Sequence, residues 1–596
     1  MAAILGINVF HPDAAACLVV DGKLVAAIAQ ERLGPRRKHT GDFPADAVRA
    51  VLAEGGLSPG DLTHIALGRQ PGANRLAKAR YLLARPANAA KAVRQGLTRG
   101  NRIQSLKDTL AGALDLDPAT IGARTHLVEH HVAHIASAYY CSPFDSAGGF
   151  SLDGSGDFAS AMAARCTGTR IDILDRVTLP HSLGHFYTAI CQFIGFDLFG
   201  EEYKVMGLAP YGEDRYAAEM ARIVRLEGTP WFQVDPRYLD VWHGLAASRV
   251  NEAGQLRLGT IYSQQLVRMF GPPRRRDDPL TQREKDIARS AQAMFERAAS
   301  QCLETLAKRV PLERLAMAGG CALNGVMNAR VLREGLAGEV FLHPAASDDG
   351  TAIGAAMHCW HQELGRSDRF VMRHAYWGPT HQESAIRAAL HAHGLRAREC
   401  TDPAEAADVA AGLIAKGTVV GWFQGRSEWG PRALGNRSIL ANPAIPDMKD
   451  RINRKIKRRE SFRPFAPSVL RSDVARYFEQ DLASPFMMHV VRFRREWRTA
   501  FPAVTHVDGT GRLQTVSAED NPLYCALIEG VKRRTGHGMV LNTSFNENEP
   551  VVETPAQALD CYLRTDLDAL VMGRFVLVKE RAGDEDAAPA GAASDR

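Results

Sequence analysis

Three things are scarce in this sequence, and each scarcity excludes something. The ten cysteines are scattered, with no CxxC pair among them. That argues against a disulfide framework and a zinc ribbon, and fits a reducing, cytoplasmic setting. No run of about 18 apolar residues occurs, so no transmembrane helix is expected, and the opening MAAILGINVF is too short an apolar stretch for a signal peptide. Charge of one sign is not in excess: 73 Lys and Arg stand against 67 Asp and Glu, a net +6 over 596 residues. Such a balance argues against a dedicated nucleic-acid binder but leaves room for local basic patches that hold phosphates.

What is present is enough apolar sequence, 45% of the chain, for two or more cores. One stretch stands out, HHVAHIASAYYCSPFDSAGGFSLDGSGD, from His130 to Asp157. Its first part lacks Gly and Pro and reads as a helix that puts His130 and His134 on one face, a turn apart. A short apolar strand then ends at Asp153 in LDGSGD. Two imidazoles and a carboxylate converging from a helix and a strand end suit a metal. The other reading of such a pair is packing on an apolar helix.

The N-terminus, AILGINVFHPDAAACLVVDGKLVAAIAQERL, reads as strand, tight turn, strand, hairpin at Asp21-Gly22 and strand, with His11 and Asp13 in the first turn. Residues 145 to 175 repeat that pattern. A duplicated unit of this kind, with two facing phosphate-binding turns, is what actin-like ATPase folds use. Residues from about 70 to 115, rich in Arg, Lys and Ala, read as solvated helices in an insertion. In GEEYKVMGLAPYG, Lys204 lies beside Gly207 in a run whose small residues invite close approach of an anion. In LAMAGGCALNGVMNARV, Gly319 and Gly320 mark a strand-to-helix turn before Asn324, where backbone N–H groups can face a ligand. PAASDDGTAIGAAM then brings Asp348 and Asp349 to the start of another helix.

A break near 365 to 378 opens a second α/β region. Its Gly/Pro-rich loop QGRSEWGPRALGNRSIL carries Arg426, Arg432 and Arg437. DRINRKIKRRESFRPFAPSVL crowds Lys455, Lys457, Arg458, Arg459 and Arg463 into one span. There the Phe/Pro frame around Arg463 favours an inward anion site over a solvated face. HVDGTGRLQTV adds His506 and Arg512, and LNTSFNENEPVVETP adds Ser544 and Asn546. Beyond about Ala582 the composition is that of a disordered tail.

Taken in this order, GEEYKVMGLAPYG, AGGCALN, GRSEWGPRALGNRSIL, FRPFAPSVL, HVDGTGRLQTV and LNTSFNENEPVVETP resemble the NodU/CmcH-type O-carbamoyltransferases, the family of tobramycin, cephalosporin and nodulation-factor carbamoyltransferases. The resemblance covers the chain apart from the basic insertion and the tail. It implies an α/β protein of two domains, an actin-like (Kae/TsaD-type) one over 1–370 and a YrdC-like one over 371–582, followed by a tail at 583–596. It implies that carbamoyl phosphate and ATP yield a carbamoyl adenylate, whose carbamoyl group passes to a hydroxyl of a small-molecule acceptor.

The residues follow the same resemblance. A divalent metal, iron in the family, would sit on His130, His134, Asp153 and Asp348, with Asp349 competing for the last place. Carbamoyl phosphate would meet Arg432, Lys457, Arg459, Arg463, Arg512, Ser544 and Asn546. From the glycine turns and the lysine run themselves, ATP, with Mg²⁺, would meet Lys204, Gly207, Gly319, Gly320, Asn324 and Gly154. His11, Asp13, Lys457 and Arg463 are the catalytic candidates. The family often has His directly followed by Asp at the first of these, and here Pro12 intervenes. Neither nucleic acid nor membrane is implied as a partner, and a homodimer is an allowed assembly. The competing readings are a threonylcarbamoyl-type transferase acting on RNA and a noncatalytic actin-like ATP-binding module. A hydrogenase-maturation carbamoyltransferase would carry CxxC pairs.

Overall fold

The first thirty residues fold as the turn residues direct. Strands β1 (Ala3–Asn8), β2 (Ala15–Val20) and β3 (Lys23–Ala29) form an antiparallel meander. Its second corner is Asp21-Gly22, where both residues have positive φ as a tight hairpin requires. Strands β4 (His64–Leu67) and β5 (Arg124–Leu127) add in parallel beside β1, giving the order β3-β2-β1-β4-β5. The computed structural model describes residues 1–83, 103, 105–251 and 255–579. The expected insertion is therefore described only at its ends, by the helices Arg75–Leu83 and Leu106–Ala113, and the expected tail lies outside the described residues.

The pattern then recurs. Strands β6 (Ser146–Gly156), β7 (Ala159–Thr167) and β8 (Arg170–Thr178) form a second antiparallel meander. Two further strands, Arg314–Ala318 and Glu339–Leu342, extend it in parallel from β6. The same strand order twice over, three antiparallel and then two parallel, is the duplicated core of an actin-like fold.

Between the sheets lie two helices that face each other. His130–Tyr139 packs on the second sheet and Thr351–His358 on the first. They approach closely because Gly354 has no Cβ, which would otherwise run into the Ala133 carbonyl. The large apolar cluster around them includes Phe150, Ile353 and Met357, all fully buried. Burying each such side chain contributes about 1.5–3 kcal/mol.

The remaining strands build a nine-stranded mixed sheet. Its order is Arg398–Glu399, Phe575–Val578, Ala569–Met572, Val420–Phe423, Arg437–Ala441, Met539–Ser544, Ala466–Leu470, Thr510–Val516 and His489–Arg492. Separate apolar clusters line its two faces. Within GEEYKVMGLAPYG, Tyr203–Leu208 is a helix and Ala209–Tyr211 a 3₁₀ turn. Gly207 faces Pro464 and Phe462 of the second region. Among the described residues no helix is long and apolar enough to cross a membrane.

Candidate active site

The helix His130–Tyr139 begins where Glu129 accepts a hydrogen bond from the Val132 N–H at 2.8 Å. Its i,i+4 spacing brings Nε2 of His130 and of His134 to 3.1 Å from each other. Asp153, near the end of β6, reaches them at 3.4 and 3.9 Å. Asp348, in the turn before Thr351–His358, reaches them at 3.4 and 3.5 Å. One donor atom from each of the four lies within 4.8 Å of the others. Donors about 2.0–2.2 Å from a common ion stand about 3–3.5 Å apart along the edges of a tetrahedron. The four residues therefore fit one divalent cation, and a set of two imidazoles and two carboxylates suits Fe²⁺, Mn²⁺ or Zn²⁺.

Electrostatics agree with that geometry. Burial disfavours a charged His130, but Asp348 and Asp153 outweigh it and lift its pKa to about 9. Burial and Asp348 act to raise Asp153, yet the hydrogen bond from His130 and the charge of the two imidazoles hold its carboxyl low. The Gly320 N–H also donates to Asp153 at 2.9 Å. That contact depends on Gly319, whose φ of +96° and lack of a Cβ beside the Leu152 carbonyl suit only glycine. Asp349 turns away: its carboxylate accepts from the Gly350 N–H at 3.0 Å, and burial pushes its pKa well up.

His11 joins the cluster through Asp348, with Nδ1 2.9 Å from the carboxylate. Burial first, and the Arg69 guanidinium second, hold its pKa below the ordinary value. Asp13 pairs instead with His39 at 2.6 Å and accepts from Ser347 at 3.3 Å. The carboxylates of Asp13 and Glu31 gather around His39.

A second cluster lies in the C-terminal half. Arg432, Arg459, Arg463 and Arg512 stand close enough for their charges to act on one another. Burial, then this mutual repulsion, lowers Arg432 to about 10, Arg459 to about 9 and Arg512 well below its ordinary value. Nε of Arg432, Nε of Arg512 and Nη2 of Arg459 are buried without a protein partner. Packed cations with unspent donors call for a multiply charged anion.

Lys457 behaves differently. Its buried Nζ, whose pKa burial and then Arg459 hold well below the ordinary value, donates to the Ser544 carbonyl at 2.5 Å, the Asn546 carbonyl at 2.8 Å and the Asn546 side chain at 2.6 Å. Three residues expected at one site thus converge, with the lysine clamping the strand end that carries the other two. Lys204 is also committed, to Glu201 at 2.7 Å and to Glu460 of the second region at 2.5 Å. Asn324 caps its own helix at the Met327 N–H and bonds Gln292. Gly154 accepts from Ser182 at 2.6 Å through its carbonyl.

A single cavity of about 2360 Å³ joins the two clusters, with His11, Asp153 and Asp348 on its wall at one end and Arg432, Arg463 and Arg512 at the other. Sequence reasoning missed several of its polar groups. Lys38 sits by Arg459 and Arg463 on a loop from the other half, and Arg36 in that loop donates to the Pro550 carbonyl at 2.5 Å. The basic run GPRRKH was the available signal. Arg69 follows the carboxyl end of β4, a usual place for ligand contacts in parallel sheets. Buried His185, whose pKa burial lowers to about 4, lies 3.4 Å from Ser155.

Residues 3–357 match the family described as Carbamoyltransferase N-terminus, and residues 411–579 the family described as Carbamoyltransferase C-terminus. An uncharacterized protein of Synechocystis is 37% identical, the match covering 97% of this chain and 97% of that one. Nodulation protein NolNO of Sinorhizobium fredii is 37% identical, over 97% of this chain and 81% of its own length. Among solved structures, full-length HypF in its phosphate- and nucleotide-bound form aligns at a TM-score of 0.30 with 14% identity, covering 60% of this chain and 55% of that one.

Proposed function

Since the chain belongs to the carbamoyltransferase family over both of its halves, we propose that it is an ATP-dependent O-carbamoyltransferase whose two clusters run successive steps. In this reading residues 371–582 form a YrdC-like domain that binds carbamoyl phosphate and ATP. Carbamoyl phosphate is hydrolysed to carbamate and phosphate. A carbamate oxygen then attacks the α-phosphorus of ATP, pyrophosphate leaves, and carbamoyl adenylate remains. In the domain of residues 1–370 the acceptor hydroxyl attacks the carbamoyl carbon and AMP departs. The acceptor is a small molecule, a natural product or a sugar.

The observation that carries the reading is the one cavity with cations at one end and the His/Asp cluster at the other. Carbamoyl phosphate is dianionic, and Arg432, Arg463 and Arg512 offer it charge-assisted bonds. Carbamoyl adenylate is water-labile, so a shared cavity shortens its exposure. His11 is suited to take the hydroxyl proton: Asp348 holds Nδ1, and a lowered pKa keeps Nε2 free to accept. A divalent cation, iron by family resemblance, would be held by His130, His134, Asp153 and Asp348 and would polarise the carbamoyl carbonyl as a Lewis acid.

The test separates the steps. The wild-type protein, given ATP and carbamoyl phosphate, should release pyrophosphate. With labelled carbamoyl phosphate it should transfer label to a member of an aminoglycoside, macrolide and sugar panel. His134→Ala should lose bound metal and transfer but keep pyrophosphate release. No pyrophosphate from the wild type would overturn the reading, and full metal content with full transfer in His134→Ala would remove the cluster from it.

A further inference from the structure

Away from the cavity, at the opposite end of the first sheet, three other metal-ligating side chains meet. His64 opens β4, His126 lies on the neighbouring β5, and Cys359 follows the helix Thr351–His358. Nδ1 of His64 is 2.9 Å from Nε2 of His126, and the Cys359 sulfur completes a set within 4.8 Å. We propose that His64, His126 and Cys359 form a second metal site that takes Zn²⁺ on three protein ligands, with the fourth position left to water.

Several observations converge on it. The two facing nitrogens stand 2.9 Å apart as a hydrogen-bonded pair and need separate by only a few tenths of an ångström to become adjacent ligands of one ion, since nitrogens about 2.0–2.1 Å from a zinc stand about 3.3–3.4 Å apart. Two imidazoles and a thiolate form a borderline-soft set, which favours zinc over Mg²⁺ or Ca²⁺. The second nitrogen of His126 faces the Glu363 carboxylate at 3.7 Å, the arrangement in which an outer carboxylate orients a ligating imidazole. His358, beside Cys359, keeps a buried Nδ1 with no hydrogen-bond partner.

The opposing charge is Arg124, which pairs with His64 in the strand register; after burial it lowers the His64 imidazole, and after burial and His64 it lowers that of His126. Glu363 offsets it. Burial, and Glu363 after it, push the Cys359 thiol up to about 12, so a thiolate forms there only as the S–H proton leaves to solvent and the sulfur–metal bond replaces it. The three ligands come from two strands and the end of the central helix. An ion there would pin the far end of the helix that Asp348 leads into.

The site is separable from the catalytic cluster because that cluster contains no sulfur. Protein stripped with chelator and reloaded with Co²⁺ should show thiolate-to-cobalt charge-transfer absorption in the near ultraviolet. The band should persist in His134→Ala and in Cys321→Ser, and vanish in Cys359→Ser. His64→Gln, at a half-buried position, guards against a misfolded Cys359→Ser and should weaken Zn²⁺ binding at least about tenfold. Wild-type protein should hold one more zinc than Cys359→Ser and lose several degrees of thermal midpoint when it is removed. No thiolate band in the wild type, or a band that survives Cys359→Ser, would overturn the proposal.

Discussion

At the scale of single residues, the cavity wall beyond the arginine cluster holds several charges already paired. His39 is the clearest case. Burial opposes its charge, but Asp13 at 2.6 Å prevails and lifts its pKa to about 9. A histidine whose folded pKa exceeds its unfolded value of about 6.5 contributes stability that is complete below 6.5 and is lost as pH rises through 9. Urea midpoints of the wild type should therefore fall across that window, and His39→Gln should flatten the fall. Equal slopes in the two proteins would mean that the Asp13 pair adds nothing. Lys457 makes the complementary point. From sequence it reads as a ligand for substrate; in the fold its Nζ also lies 2.5–2.8 Å from oxygens of Ser544 and Asn546, and burial holds its pKa well below the ordinary value. Spacing indicates that a lysine and a serine pair belong together, but not whether the ammonium faces the ligand or the strand.

At the scale of elements, turns decide where the donors stand. Gly319 ends the strand Arg314–Ala318 and lets the Gly320 N–H reach Asp153. Gly319→Ala forces a side chain into the Leu152 carbonyl at a φ of +96°. Strain of that kind costs about 1–3 kcal/mol, a fall of a few degrees in thermal midpoint, and metal content should drop with it. Unchanged metal content in a folded Gly319→Ala would uncouple the turn from the cluster.

Much at this scale was legible. The turn at Asp21-Gly22, the repeat of the meander and the His130/His134 spacing are local signals, carried by a few adjacent residues. The contribution of Arg36 and Lys38 was not legible, because a basic loop that docks against residues some five hundred positions away looks the same in sequence as one that is solvated. The helix at Tyr203–Leu208 was hidden for a related reason: Gly207 serves packing against Phe462 and Pro464, and tertiary contact overrides local propensity.

At the scale of the whole molecule, Lys204 ties the two halves by bonding Glu201 in one and Glu460 in the other. If it acts as a strut beside a shared cavity, Lys204→Met should keep releasing pyrophosphate while transferring fewer carbamoyl groups per pyrophosphate, as the adenylate escapes to water. If the lysine contacts nucleotide instead, pyrophosphate release itself should fall, and the ratio should hold. Measuring both products on one preparation distinguishes the two.

The placement of the four donors has a mechanical consequence. Asp153 belongs to the second sheet, while Asp348 leads into the helix packed on the first. The gap between these two carboxylates is thus a caliper set across the two halves of the duplicated fold. An ion gripped by both jaws resists any swing that opens them. By reciprocity any swing that opened them would loosen the ion, so metal affinity would gauge the separation of the two halves.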